Sequence, residues 1–206
     1  MRVAKIVMLP VVCMLIFASG CVYDELASEV VVTEKVVVQF KEHRVSPDIN
    51  SAVVCDRFRQ RLLGILDDHG ATLDDIVSIT MVSGQYKVAK PAKDKSIDWT
   101  VAGDVTVARQ DDPSGPVTEG PETFVNFTTQ PLQPAKSTPI YADLNSAGVT
   151  VINNALEDLR NGGDPRLVLN MGSDNITPAP SPSNPLDFSW LAMVTFQVVI
   201  DMDKTE

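Results

Sequence analysis

The sequence predicts an α+β fold, a two-layer sandwich in which a mostly antiparallel sheet of about six strands is covered on one face by two helices. Three observations predict it. The chain is rich in Val, Ile and Thr and holds only 6% aromatic residues, which favours sheet over a helical bundle. Segments of alternating and of helical hydrophobic period follow one another as strand, helix, strand, strand, and that order occurs twice, around residues 30–110 and 121–202. Residues also match between the two halves: Leu63, Leu66 and Gly70 with Leu156, Leu159 and Gly163; Trp99, Val105 and Val107 with Trp190, Phe196 and Val198; Val38 and Phe40 with Val125 and Phe127. The two Trp of the chain form one of these pairs, so an internal duplication is expected.

The first strand is Val30 to Lys41, with Val36, Val38 and Phe40 on one face and Lys35, Gln39 and Lys41 on the other. Ser46-Pro47-Asp48 has the form of a helix start, and Val54, Phe58, Leu62, Ile65 and Leu66 continue at helical spacing until Gly70. Ile76–Ala89 and Ile97–Arg109 read as two long strands joined as a hairpin across Lys90–Ser96. A Pro- and Gly-rich stretch, Asp111–Pro121, separates the halves. The second half then gives a strand at Thr123–Thr129, a helix at Ala142–Asn161 closed by Gly162-Gly163, a strand at Arg166–Met171 and a last strand at Phe188–Asp201. Residues 131–139 and Pro178–Pro185 are Pro-rich connections. This order of elements resembles the tandem modules of gyrase-inhibitor-like effector domains, a likeness carried by element order alone. It leaves the second sheet face, with Lys35, Gln39, Lys41, Thr100, Asp104, Thr106, Thr195 and Gln197, to solvent or a partner.

Ahead of the domain, Arg2 and Lys5 precede an apolar run from Ile6 to Phe17, which ends in Ala18-Ser19-Gly20-Cys21. A basic start, a short apolar core and small residues at a cleavage point form a secretory signal. The run is too short to cross a hydrocarbon core, which takes about 20 residues. The segment resembles the lipobox of bacterial lipoproteins, with Ala18 where the pattern more often has Leu. That resemblance implies cleavage after residue 20, a lipid (palmitate among its acyl chains) on Cys21, and an address in the cell envelope. Val22 in place of Asp implies the outer membrane where the envelope is Gram-negative. Residues 21–29 would be a lipidated tether and 30–206 a single domain.

Loss of residues 1–20 removes two basic residues and leaves 15 Lys and Arg against 27 Asp and Glu, a formal charge of −12. Such acidity opposes nucleic-acid binding, which needs cations against phosphate. It also opposes a polybasic hold on anionic lipid heads, so the acyl chains must do the anchoring and the domain is expected to be weakly repelled from the surface. Cys13 leaves with the signal and Cys21 is modified, so Cys55 has no disulfide partner and reads as a small buried apolar residue.

No catalytic constellation emerges. His43 lies between a strand and a loop, and His69 beside Asp67 and Asp68 reads as a helix C-terminal cap. No metal is expected, because zinc spacing is missing and Asp67-Asp68, Asp74-Asp75 and Asp111-Asp112 do not follow a calcium loop. Gly172-Ser173-Asp174 lacks the second Gly of a nucleophile elbow, and no cofactor fingerprint is present. The expectation is therefore a non-enzymatic envelope lipoprotein that offers a sheet face or its Pro-rich loops to a protein partner. The alternative is a small-ligand domain with a cleft between the halves near Trp99 and Trp190.

Overall fold

The computed structural model describes residues 29–46, 49–90, 97–132 and 138–204. The elements run β1 (Glu29–Arg44), β2 (Ile49–Cys55), α1 (Phe58–Asp68), β3 (Ile76–Lys90), β4 (Thr100–Gln110), β5 (Glu119–Pro131), β6 (Ile140–Tyr141), α2 (Ser146–Arg160), β7 (Arg166–Thr177) and β8 (Leu186–Asp201). Cys21 and its tether, the expected site of lipidation, lie outside the described residues.

Two four-stranded antiparallel sheets stack face to face: sheet A in the order β1-β8-β3-β6, and sheet B in the order β2-β7-β4-β5. Successive strands alternate between the sheets, and only β4 and β5 are joined within one. Eight strands wound in this order form a jelly roll. The expected six-stranded sheet with both helices on one face is thereby overturned. Two strands account for the difference. Residues 49–55 extend along β7 as β2 instead of opening a helix, and the helix begins at Phe58. The two-residue β6 adds to the edge of β3. Nor do β3 and β4 form a hairpin, because they belong to opposite sheets.

The inner faces explain the arrangement. Along β1 the side chains alternate strictly, with Val36, Val38 and Phe40 buried and Lys35, Val37, Gln39 and Lys41 exposed. β8 is central to sheet A and buries Phe188, Trp190, Ala192, Val194, Phe196, Val198 and Ile200. Sheet B answers with Val105, Val107, Phe127, Leu167, Leu169 and Met171. A double layer of this kind excludes water from both inner faces at once.

The helices close the sandwich. α1 buries Phe58, Leu62, Ile65 and Leu66 at helical spacing, and Phe58 meets Phe196 of β8 with centroids 6.0 Å apart. Gly70, at φ 66°, adopts the left-handed turn that ends it. α2 starts with the Asn145 side chain accepting the Ala147 N–H at 3.0 Å. It then straddles the two sheets, and its polar side chains serve backbone groups freed at irregularities of β3. The pairing register of β3 slips at Ile76/Ser78 and at Met81/Ser83. Arg160 donates to the Ile76 carbonyl at 3.0 Å, and the Met81 N–H donates to Asn153 at 2.8 Å. The first slip also turns Val77 outward, 40% exposed, while Ile76 and Ile79 are buried, which breaks the alternation expected there. On the sheet B side Arg109 pairs with Asp158 at 3.1 Å, and Asn154 donates to Glu119 at 2.7 Å.

Gly148 sets how closely α2 approaches β5. A Cβ there would lie 2.5 Å from the Phe124 Cα, a contact with backbone that no rotamer change relieves. Gly64 of α1 has open space around it. Gly64→Ala is therefore expected to raise stability by up to about 1 kcal/mol through helix propensity. Gly148→Ala should lower it by roughly 1–3 kcal/mol despite the same propensity gain. Paired urea melts of the two variants check this, and equal shifts would refute the close approach.

Candidate functional site

Strand direction places the parts of the molecule that meet other molecules. Glu29 of β1 pairs with Asp201 of β8, and Ile76 of β3 pairs with Ile200, so these three strand ends share one end of the sandwich. Arg44, Leu186 and Lys90 mark the other end. In sheet B, Cys55, Arg166, Gln110 and Glu119 belong to the first end, and Thr177, Thr100 and Pro131 to the second. The near end therefore carries the start of β1, both helices and the 111–118 connection. Among the described residues, the far end carries 45–46, 97–99, 132, 138–139 and the β7–β8 connection 178–185. The β7–β8 connection holds four of the fourteen prolines and the near-end 111–118 connection two, so the far end is the more proline-rich.

The near end is polar and internally tied. Arg59 of α1 donates to the carbonyls of Gly162 and Gly163 at 3.0 and 2.8 Å, and so caps the C-terminal turn of α2 with a cation. Between α1 and the edge of β1 runs an open groove of about 390 Å³ lined by Glu34, Arg57, Gln60, Arg61, Ile65 and Asp68. Arg61 pairs with Glu34 across it at 3.1 Å. Two cations and two carboxylates balance there, and the groove holds no nucleophile.

Trp99 and Trp190 are each 1% exposed. Trp190 stacks on Tyr86 at 5.3 Å and 10°, lies 5.3 Å from Phe127 of sheet B, and meets Phe188 edge-on at 6.4 Å. The cavity beside it, walled by Tyr86, Val105, Phe124, Phe127, Ala192 and Met193, has about 20 Å³. That admits one water and no metabolite. Trp99 lies just ahead of β4, and its carbonyl accepts the Leu132 N–H at 2.9 Å. Both indoles are packed into the core.

Among the described residues no group of three or more His, Cys, Asp or Glu converges. His43 has a 68% exposed side chain, 3.9 Å from Asp187. His69 is the residue that ends α1. Asp75 is buried, but its carboxylate accepts the Thr72 N–H and hydroxyl at 2.7 and 2.8 Å and so caps the turn Leu73–Asp75. Ser173 donates its hydroxyl to the Ala102 carbonyl, next to Gly103, where any Cβ would strike the Gly172 carbonyl oxygen. This packing keeps β7 extended through Gly172-Ser173 to Thr177.

One buried charged pair escaped the sequence reading. Glu42 has a fully buried side chain and receives Arg44 at 2.6 and 2.8 Å, while Arg44 also donates to Ser51 of β2 at 2.8 Å. The pair holds the first crossing from sheet A to sheet B. Its signal was available, since Phe40, Glu42 and Arg44 continue the inward alternation of β1. Breaking such a pair leaves an uncompensated buried charge, which makes it a structural clamp.

Comparison with known proteins adds little. No family model matches the sequence, and no curated protein sequence matches it. Solved structures with a similar fold include the BFDV capsid protein in its decameric form, at 9% identity, covering 82% of this chain and 99% of that one, with a TM-score of 0.36. Others are desmodium yellow mottle tymovirus, at 10% identity, 84% and 88% coverage and TM-score 0.31, and turnip yellow mosaic virus, at 10%, 82% and 93%, and 0.31. Likenesses this distant carry no argument about this chain, whose strand order stands on its own pairing.

Cys55 is 5% exposed, and burial pushes its thiol from 9.0 to about 11. The folded thiol is therefore protonated at neutral pH and inert. Because the unfolded chain ionises first, the site's contribution to stability is complete below about pH 9 and is lost as pH rises towards 11. Urea midpoints of wild type and Cys55→Ala measured across that interval should converge as pH rises. Rapid labelling of the native thiol at pH 7 would contradict this burial.

Proposed function

We propose that the chain is a lipid-anchored envelope protein without enzymatic activity. In this reading acyl chains on Cys21 hold the near end of the jelly roll to a membrane, and the far end is offered to a protein partner. One observation carries it: β1 begins at Glu29, eight positions after Cys21, and the proline-rich β7–β8 connection, 178–185, lies at the opposite end of the sandwich. Seven intervening residues reach at most about 25–30 Å, so the near end stays close to the bilayer. A 16-residue strand spans about 50 Å, so the far end is well separated from the anchor.

The site geometry supports the non-enzymatic part. The indoles are buried, the cavity beside Trp190 is water-sized, and the near-end groove balances its charges. Loops carried on a rigid sandwich suit recognition, since the sheets fix their spacing while the loops vary. Prolines lower the ordering entropy such loops lose on binding.

Fractionation of cells that make the full precursor tests the anchor. Wild type is expected in the membrane fraction with incorporated labelled palmitate, and Cys21→Ala is expected to be unlabelled and released. A photo-crosslinking residue at Ser183, at the far end, should give a discrete protein adduct, while the same residue at Ser114, at the near end, should not. Palmitate incorporation into Cys21→Ala, or identical adducts at both ends, would refute the reading.

A further inference from the structure

We propose that the outer face of sheet A, formed by β1, β8 and β3, docks on anionic phospholipid headgroups, so that the anchored body lies along the membrane. The proposal rests on the lipid anchor at Cys21 and adds an orientation to it. The face differs from the rest of the molecule in charge. Its rungs, read across β1, β8 and β3, are Val31–Val199–Ser78, Thr33–Gln197–Thr80, Lys35–Thr195–Ser83, Val37–Met193–Gln85 and Gln39–Leu191–Lys87, followed by Lys41 beside Ser189. No carboxylate stands on these rungs, although Asp and Glu outnumber Lys and Arg by 27 to 17 over the chain. Carboxylates reach this face only at its ends, as Glu29 and Asp201 at one and Asp187 at the other.

Lys35 and Lys41 are exposed and Lys87 is half-exposed. Lys35 reaches Gln85 at 3.3 Å, across β8. Among the described residues no salt bridge engages any of the three lysines. Val31 and Val37, which are 55% and 52% exposed, supply apolar surface beside them. Long lysine stems over valines suit a headgroup layer, where the stem stays in apolar contact and the ammonium meets phosphate. The acidic groups cluster instead at the near end, with Asp67, Asp68 and Asp74 around α1, Asp111 and Asp112 in the β4–β5 connection, and Glu157 on α2. An upright stance would press that end towards the bilayer. Lying on sheet A removes it.

Net charge does not forbid this. Charges beyond about 10 Å from the surface are screened at ordinary ionic strength. The second sheet lies about 10 Å behind the first, so the lysine face is what the lipid senses. Each lysine near an anionic surface is worth about fivefold, and three give on the order of a hundredfold preference for the docked orientation. Three lysines would bind weakly in free solution. On a protein already tethered, the docking is intramolecular and the preference is realised.

The test uses the full lipidated chain in vesicles of phosphatidylcholine alone, or of equal parts phosphatidylcholine and phosphatidylglycerol. A nitroxide is placed at Val37→Cys on the face, or at Val54→Cys, 48% exposed on β2 of sheet B, with the buried Cys55 left unlabelled. The Val37 label is expected to be shielded from a water-soluble relaxing agent in the anionic vesicles only, and the Val54 label in neither. Charge reversal at Lys35→Glu, Lys41→Glu and Lys87→Glu should abolish the shielding, and so should high salt on the unsubstituted lysines, which guards against a folding defect. Equal shielding in both lipids, shielding that survives salt and charge reversal, or shielding found only in native membranes, where a protein would cover the face, overturns the proposal. Failure to float with either vesicle would instead remove the anchor itself.

Discussion

Phe127 of β5 and Trp190 of β8 meet 5.3 Å apart across the space between the two sheets, and the rest of the architecture depends on that kind of contact. Neither sheet is stable in water alone, because each presents one continuous apolar face. The chain meets the constraint by crossing from sheet to sheet at nearly every connection, so each strand is laid down opposite the one before it. Tyr86 and Phe188 pack around the same indole from sheet A, and contacts of this type contribute roughly 0.5–1.5 kcal/mol each beyond their burial. The helices then occupy what the sheets leave open, and Arg59 joins the two helices across the near end.

The same winding explains the division of labour between the ends. A strand that leaves one end of sheet A must re-enter sheet B from that end, so connections fall into two groups by parity. The helical crossings β2–β3 and β6–β7 share an end with the start of β1, and the proline-rich β7–β8 connection lies at the other. Charge follows the same partition. Arg59, Arg61, Arg109 and Arg160 work inside the near end as ties to carbonyls and carboxylates, whereas Lys35, Lys41 and Lys87 stand on a sheet face with no salt bridge among the described residues. β1 is an open sheet edge rich in valine. Lys35 and Lys41 on its outer face, with the inward charges of Glu34 and Glu42, are the devices that discourage uncontrolled strand pairing.

Local pattern was legible where one face of an element is buried and the other is wet. β1, β8, α2 and the apolar stripe of α1 follow from alternation or helical spacing, and Gly70 and Gly162 mark helix ends as expected. The pairing of strands was not legible. Val54 fits a helical spacing with Phe58 and Leu62, and only the presence of β7 alongside makes residues 49–55 a strand. β6 has two residues, both exposed, and no pattern to read. Missing those two strands turned two stacked sheets into one. β7 runs on past the expected end at Met171 to Thr177, and the packing of Gly103 against the Gly172 carbonyl that accompanies it is visible only in three dimensions. At the site, Trp99 and Trp190 drew attention as aromatics, yet burial makes them core. The lysine face needed the strand register, which places Lys35, Lys41 and Lys87 together from two strands separated by β8.

The separation of the anchored end from the proline-rich end is the claim on which the functional account stands, and a single distance tests it most directly. Nitroxides introduced at Val31 and Ser183 in the full chain, with the buried Cys55 unlabelled, report the span from the start of β1 to the β7–β8 connection by pulsed electron resonance. Thirteen strand residues separate Val31 from the far end of β1, so the account predicts a narrow distribution centred beyond about 40 Å. A distribution centred below about 25 Å would bring the two ends together and contradict the account.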